Sequence, residues 1–195
     1  MHPLLRKNVF VVKEHVGLLK AANNFDVLDP ETGAVVLECR EENLGPITKL
    51  LRFTDYKRMT PFELIIRPPG GAPMLVVRRG ISLFLSNVAV TDGGGTSLGS
   101  FQQRLFSIGG AFQVSDAEGR PTCELKGSWT SWEFKFLRGD ATLATVSREW
   151  GGLGRELLTT ADNYVLNIEP TVAYDDPVRA LILAAVLCID MVLKE

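Results

Sequence analysis

The sequence predicts a mainly β protein in which a closed antiparallel sheet wraps around one hydrophobic C-terminal helix. Two observations lead to this fold class. Turn-forming residues separate short apolar and β-branched runs along most of the chain, which is typical of a meandering antiparallel sheet. The final segment, in contrast, has no polar side chain between Ala180 and Ile189. A closed sheet would cover such a helix and would leave no unpaired strand edge.

The first half of the chain begins with a short predicted strand over Asn8–Lys13, after which residues 15–22 are ambiguous. A hairpin is then predicted over residues 24–40, because Asp29, Pro30 and Gly33 supply turn chemistry between two apolar runs. The same pattern predicts further hairpins, and these fall at residues 68–71, 88–101, 112–125 and 138–140.

Alternation within one later segment predicts a strand with one buried and one solvated face. Trp132, Phe134 and Phe136 share one side, whereas Glu133 and Lys135 share the other. We therefore expect the three aromatic residues to face the core.

The segment Pro46–Thr60 is the one convincing helix-like stretch before the C-terminus, with Ile47, Leu50 and Leu51 on one side. Its basic residues are Lys49, Arg52, Lys57 and Arg58. One interpretation is a lipid-headgroup contact, since a basic residue near an anionic membrane gains about 1 kcal/mol. The alternative is an ordinary solvated helix face packed over the barrel. These four residues are the candidate headgroup site.

The C-terminal helix is predicted over about 177–194, because Asp176 is a good N-cap and Pro177 suits the first helical position. The charges before its last residues are Arg179 and Asp190, which lie within about 20° of one azimuth. A helix that is apolar in every other direction is buried on all sides or lies in lipid. Burial is favoured because a spanning helix needs about 20 apolar residues. Asp190 is expected to cap a partner in the barrel mouth.

Composition places the 195 residues in one ordinary globular domain, residues 1–195, with 46% hydrophobic and 23% charged residues. A net charge of −2 argues against bulk attraction to nucleic acid. The three cysteines, Cys39, Cys123 and Cys188, share no close spacing, so buried reduced thiols are expected. Lys7, Lys13 and Glu14 interrupt the N-terminal apolar residues, which excludes an ordinary secretory signal. A cytoplasmic protein, peripheral at the inner membrane face, is the expectation.

Catalysis is not expected from the motifs present. Residues 95–99 match the G-x-S-x-G pattern of a nucleophile elbow, but a β-like run follows Ser97 where a helix is required. Both histidines, His2 and His15, lie upstream of it. His2 is expected in a loose terminus and His15 in a partly exposed position. The motif is therefore interpreted as a glycine-rich hairpin turn, and the protein as a non-enzyme.

The last fifty residues resemble the C-terminal end of the phospholipid scramblase family. The shared features are Arg148 with the Trp150–Gly151 pair, then Arg155–Glu156, the run Ala161–Tyr164 and the closing hydrophobic helix. The resemblance implies a tubby-like fold, with a barrel of about twelve strands enclosing the helix. It also implies a connection to membrane lipid, through calcium-dependent scrambling or phosphoinositide-type headgroup binding.

The calcium segment of that family is depleted here. Two of its acidic positions fall on Thr160 and Thr171, which leaves Asp162 as the one metal candidate. Calcium prefers six to eight oxygen ligands with several carboxylates, so no cofactor is expected. Residues 163–168 are interpreted as a plain strand instead.

The functional prediction is a non-enzymatic, scramblase-related module that associates with the anionic phospholipid surface, with phospholipid scrambling as a further expectation. The alternative, from another class, is a soluble cytosolic interaction scaffold with no lipid role, which the acidic pI of about 5.8 favours. The sequence identifies no protein partner.

Overall fold

A computed structural model of the protein describes residues 2–15, 22–43, 45–51, 60–81, 87–103, 111–128, 131–148 and 163–193. These residues form a closed antiparallel barrel of twelve strands with one C-terminal helix, which confirms the predicted fold class. A 3₁₀ turn at Pro3–Arg6 precedes the barrel. The strands are β1 (Val9–Glu14), β2 (Phe25–Leu28), β3 (Val35–Arg40), β4 (Phe62–Arg67), β5 (Leu75–Arg79), β6 (Asn87–Asp92), β7 (Ser97–Gln103), β8 (Ala111–Asp116), β9 (Pro121–Ser128), β10 (Glu133–Arg138), β11 (Ala141–Ser147) and β12 (Asn163–Ile168); the helices are α1 (Pro46–Leu51) and α2 (Val178–Leu193).

Each strand pairs with its neighbours in sequence, and the first and last strands close the barrel. β1 lies against β12 with Val9 opposite Asn167 and Lys13 opposite Asn163. The predicted strand over residues 163–168 is therefore confirmed as the closing element. Because every neighbour is antiparallel, successive connections alternate between the two ends of the barrel.

The predicted hairpins are confirmed, and three of them share one turn device. Asp29, Asp92 and Asp116 each stand where a strand ends, and one carboxylate oxygen accepts two backbone N–H groups of the turn. The glycines of these turns are left-handed, with φ of 69° at Gly33 and 88° at Gly95. The glycine-rich stretch before Ser97 is thus the β6–β7 turn.

Helix α2 fills the barrel, and every side chain from Val178 to Ile189 is buried. Asp176 caps it as predicted, since Oδ1 accepts the N–H of Val178 at 2.9 Å. The helix approaches the wall most closely at Gly99, where a Cβ would come within 2.2 Å of the Ser115 carbonyl oxygen and 3.1 Å of Leu181. A side chain at that position would force the wall away from the helix.

Arg179 is the charge in α2 whose position the sequence did not explain. The structure buries it completely, and no carboxylate among the described residues forms an ion pair with it. Its guanidinium donates to the carbonyls of Leu5 (2.8 Å), Lys7 (2.6 Å) and Val172 (3.0 Å), and to Asn8 Oδ1 (2.9 Å). Burial lowers the pKa of this guanidinium from its ordinary value. The arginine therefore ties the N-terminal segment to the start of the helix. The Asp190 side chain lies outside the described part of the structure.

The two ends of the barrel differ in their connections. At the turn end, defined by the β2–β3, β4–β5, β6–β7, β8–β9 and β10–β11 connections and the start of α2, the turns are short. At the loop end, defined by the β1–β2, β3–β4, β5–β6, β7–β8, β9–β10 and β11–β12 connections, the longest run spans residues 41–61. The C-terminal part of α2 points toward the loop end, as the Tyr164 hydroxyl donating to the Val186 carbonyl at 3.4 Å shows.

The aromatic face predicted around Trp132 is buried as expected, but Trp132 itself precedes the strand. Phe134 and Phe136 lie in β10 and are 1% and 0% exposed, whereas Trp132 is 9% exposed with a positive φ of 53°. The chain therefore turns through an unfavourable backbone conformation immediately before β10. Alternation alone could not separate this residue from the strand that follows it.

Candidate lipid-contact site

The predicted headgroup segment belongs to the loop end. Lys49 lies on α1 and its side chain is exposed, while Lys49 N–H donates to the Gly45 carbonyl at 2.9 Å. The predicted helix is confirmed over Pro46–Leu51. Arg52, Lys57 and Arg58 lie outside the described residues, so the structure places one of the four candidates. Lys49 is available to solvent at the end of the barrel where α2 finishes.

An exposed apolar side chain lies in the β5–β6 connection at the same end. Ile81 is 77% exposed, which is the largest exposed fraction among the big hydrophobic side chains that the structure describes. In sequence it opens the apolar run ISLFL at residues 81–85. A single exposed isoleucine is ordinary in a globular protein. Ile81 and Lys49 both lie in loop-end connections of the barrel.

A row of three side chains crosses the loop end between β10, β11 and β12. The ladder pairs Phe134 with Val146 and Ser147 with Val165, and its continuation puts Trp132 and Tyr164 on either side of Arg148. The Arg148 guanidinium lies 3.9 Å from the Trp132 ring centroid. The Trp132 ring in turn packs against Tyr164, with centroids 5.8 Å apart. The row is a cation stacked on an aromatic pair.

Below the basic segment, the loop end contains buried polar groups. Arg79 is 4% exposed, donates to the Thr60 carbonyl at 2.6 Å and lies 4.8 Å over the Phe62 ring. The Glu41 carboxylate accepts from the backbone and side-chain nitrogens of Asn23 at 2.9 and 3.1 Å. These contacts join the beginning and the end of the β3–β4 connection to the barrel.

On the outer wall near this end, charged side chains are paired with one another. Asp26 receives Arg40 Nη2 and His15 Nε2, each at 2.6 Å. Burial by itself would raise the pKa of Asp26, but the hydrogen bonds from Arg40 and His15 outweigh it, and the pKa lies below its ordinary value. His15 is partly exposed, as predicted, with 31% of its side chain accessible. His15 and Arg40 thus share the Asp26 carboxylate on the barrel wall.

The turn end contains a cleft of about 480 Å³ beside the start of α2. Its apolar lining includes Leu5, Met74 and Leu98, and two carboxylates, Asp92 and Asp175, also line it. His2 borders the cleft, is exposed, and its Nδ1 accepts the Leu4 N–H at 3.3 Å. The nearest turns are acidic, so the cleft is an unfavourable place for an anion.

A family model described as Scramblase matches residues 7–195 of the chain. The chain belongs to the scramblase family. Among solved structures, a protein from Arabidopsis thaliana is similar, with a TM-score of 0.56 and 17% sequence identity over 93% of this chain and 90% of that one. At this identity the likeness shows the shared fold.

The metal candidate suggested by the scramblase resemblance, Asp162, lies outside the described residues. Among those that are described, no group of three His, Cys, Asp or Glu side chains is arranged to hold a metal ion. Nor does any helix in this part of the chain combine the length and apolar character needed to cross a bilayer. The three cysteines are unpaired and buried, as expected, and burial raises the pKa of Cys123 to about 11.

Sequence reasoning missed the stacked pair at the loop end of this scramblase-family protein. Trp132 was assigned to the core, and Arg148 entered only as part of the family pattern. One signal was present in the sequence, because the three tryptophans of the chain, at 129, 132 and 150, fall within the segment around the β9–β10 and β11–β12 connections. Tryptophan concentrates where an apolar and a wet environment meet.

Proposed function

We propose that this protein is a non-enzymatic, peripheral phospholipid-binding module that places the loop end of its barrel against an anionic membrane surface, on the cytoplasmic side. Membership of the scramblase family supports a relation to membrane lipid. The observation that carries the proposal is the difference between the barrel's two ends. In the sequence of the loop-end connections, which also contain the tryptophans, cations slightly outnumber carboxylates, whereas carboxylates predominate at the turn end.

The charge of the turn end sets the orientation. Carboxylates outnumber cations in its connections. Counting the last residue of each strand that ends there, the carboxylates are Asp29, Glu31, Asp92, Asp116, Glu118, Asp140, Glu169, Asp175 and Asp176, and the cations are Arg6, Lys7, Arg67, Arg120 and Arg138. An anionic bilayer repels this end and attracts the segment containing Lys49, which orients the barrel axis toward the membrane. The low net charge of −2 therefore hides an asymmetric distribution.

Two kinds of contact contribute to binding in this orientation. Lys49, Arg52, Lys57 and Arg58 each contribute about 1 kcal/mol close to anionic lipid, and salt weakens this term. Ile81 adds a term from apolar burial, which for a side chain of this size reaches about 2 kcal/mol and does not depend on salt. Several such terms together give reversible binding.

Flotation with vesicles tests the proposal. The protein is mixed with phosphatidylcholine vesicles, or with vesicles that also contain phosphatidylserine, in calcium or in chelator and at low or high salt. We expect flotation with the anionic vesicles alone, reduced by salt. Lys49→Glu and the double variant Lys57→Glu, Arg58→Glu should reduce it, while Lys135→Glu, an exposed lysine on the β10 wall, should leave it unchanged.

If Lys49→Glu and Lys135→Glu reduce flotation equally, binding depends on net charge alone, and the proposed orientation of the loop end toward the membrane is wrong. A protein that stays with the unbound fraction in every condition has no lipid role, and the soluble scaffold then becomes the better assignment. If flotation is confirmed, a dye-labelled lipid assay on the same vesicles decides whether binding is accompanied by scrambling.

A further inference from the structure

Arg148 differs from the other arginines that the structure buries or half-buries. Arg40, Arg67, Arg79 and Arg179 each donate to carbonyl or carboxylate oxygens. Arg148 is half-buried and contacts the face of Trp132. Its Nε is shielded from solvent without an acceptor, as Arg79 Nε also is, but the Arg79 guanidinium donates elsewhere, whereas no hydrogen bond from Arg148 occurs among the described residues. Its position is thus fixed by stacking, and its hydrogen-bonding capacity is left over.

This arrangement is unfavourable for a residue with a purely structural role. A buried donor without a partner is destabilising. The residue under the guanidinium adds to this, because the positive φ of Trp132 is an uncommon and strained conformation for a bulky side chain. Both features occur at one point of the barrel. Strained backbone conformations occur most often at ligand-binding and active sites.

The geometry of a stacked guanidinium determines what it can bind. One face of the group is covered by the indole ring, so new contacts form along its edge, in the plane of the N–H donors. A phosphate group accepts two parallel hydrogen bonds from such an edge, and the planar fork of arginine matches it better than the point charge of lysine does. Nε itself is shielded from solvent, so a phosphate would approach the two terminal nitrogens, which form the other edge of the fork.

We infer that Arg148, stacked on Trp132, is a phosphate-binding subsite at the loop end of the barrel. Continuing the β10–β11–β12 ladder places this pair and Tyr164 in one row, on the side to which the inward-facing Phe134 and Val146 belong. The subsite therefore lies at the barrel mouth. If the subsite binds a lipid headgroup, it rests on the membrane function proposed above. If it binds a soluble phosphate, it is independent of that function.

The test uses Trp132 as its own reporter. Trp129→Phe and Trp150→Phe leave Trp132 as the single tryptophan of the chain. Inorganic phosphate is titrated at constant ionic strength against a chloride control, with emission and calorimetric heat as readouts. We expect a saturable change. Arg148→Gln should remove it, and Arg148→Lys, which retains the charge without the fork, should weaken it about tenfold or more. Arg6→Ala, an exposed arginine at the turn end, should not change it.

A second arm measures flotation with phosphatidylcholine vesicles that contain phosphatidic acid or, at matched charge, phosphatidylserine. Phosphatidic acid presents a phosphate monoester, and Arg148→Lys should reduce binding to these vesicles more than to those with phosphatidylserine. Saturable phosphate binding without flotation keeps the subsite, assigns it a soluble phosphate ligand and removes the membrane function. Flotation that depends on Lys49 but not on Arg148, with no phosphate titration, overturns the subsite and leaves the membrane function standing.

Thermal unfolding separates a structural arginine from a binding one. If Arg148→Gln lowers the melting temperature but the phosphate titration persists, the pair serves packing and the inference is wrong. If Arg148→Gln does not fold, Arg148→Lys carries the test, because it preserves the positive charge over the ring. Unchanged phosphate affinity in Arg148→Lys then contradicts recognition by the guanidinium edge.

Discussion

Replacing Arg179 with methionine tests how the helix and the N-terminal segment are held together. Methionine has a similar length and leaves a small cavity, so the main change is the loss of the donors. The acceptors left behind are the carbonyl oxygens of Leu5, Lys7 and Val172, and Asn8 Oδ1. A hydrogen bond from a charged donor contributes about 1.5–3 kcal/mol, and an acceptor stranded in the interior costs about 1–3 kcal/mol.

These contributions do not add up in full. The folded state no longer bears the cost of burying a guanidinium, and the N-terminal segment can turn its freed carbonyls toward water. We therefore expect Arg179→Met to lower the free energy of unfolding by about 2–4 kcal/mol, a large part of the total for a typical domain. Faster amide hydrogen exchange should accompany it in residues that pair with the N-terminal segment, such as Ile168, whose N–H donates to the Asn8 carbonyl at 2.7 Å.

Urea unfolding followed by circular dichroism measures the change in the free energy of unfolding. The dependence of this free energy on urea concentration should be the same in the wild type and the variant, because it reports the surface exposed on unfolding. Arg138→Met is the matched control, because Arg138 also lies at the turn end but has a 49% exposed side chain and pairs with Asp176 at 3.5 Å. Such an exposed pair contributes below about 1 kcal/mol. Equal losses in the two variants would refute the reasoning that Arg179 anchors the N-terminal segment.

Two further predictions concern the core and the response to acid. Ala184→Asp places an unpaired charge where no solvent reaches, so we expect the protein to be unfolded or aggregated at neutral pH, and a folded variant by circular dichroism would show that α2 is not the core. The hydrogen bond from Lys7 lowers the pKa of Asp29 from 3.8 to about 2, against the opposing effect of burial and with the help of turn N–H groups. Because the pKa of Asp29 is lower in the folded state, ionised Asp29 stabilises the fold fully above pH 3.8, and this contribution is lost as the pH falls toward 2. The contribution is at most about 1–2 kcal/mol because Lys7 is partly exposed. Asp29→Asn should flatten this part of the acid-unfolding profile, and an unchanged profile would contradict the assignment.

The fold was predictable because its signals are local. The six-residue turn between β2 and β3 is specified by its own residues Asp29 and Gly33. Similar chemistry recurs at Asp92 and Asp116. The burial of α2 followed from its composition, which leaves no wet face. Neither inference requires knowledge of which residues meet across the barrel.

The contacts that the sequence did not reveal join residues far apart in the chain. Arg179 meets the Leu5 carbonyl across 174 positions, and a charge near a helix start gives no indication of such acceptors. The Trp132–Arg148 pair follows from the register of β10 against β11, in which Val146 is opposite Phe134. Continuing that register by two residues would have predicted the pair, but the register itself shifts between Phe136 and Leu137 and could not be read from the sequence.

The burial of α2 constrains any activity on membranes. Transfer of this helix from the barrel into lipid replaces one apolar environment with another, so the helix itself gains little. The barrel would lose its core, since its inner wall consists of buried side chains such as Phe10, Phe25, Leu64 and Phe134, each of which contributes about 1.5–3 kcal/mol when removed from water. Exposing these four alone would cost about 6–12 kcal/mol, which is comparable with the 5–15 kcal/mol that usually stabilises a domain. A membrane role for this protein therefore has to operate with the helix in place.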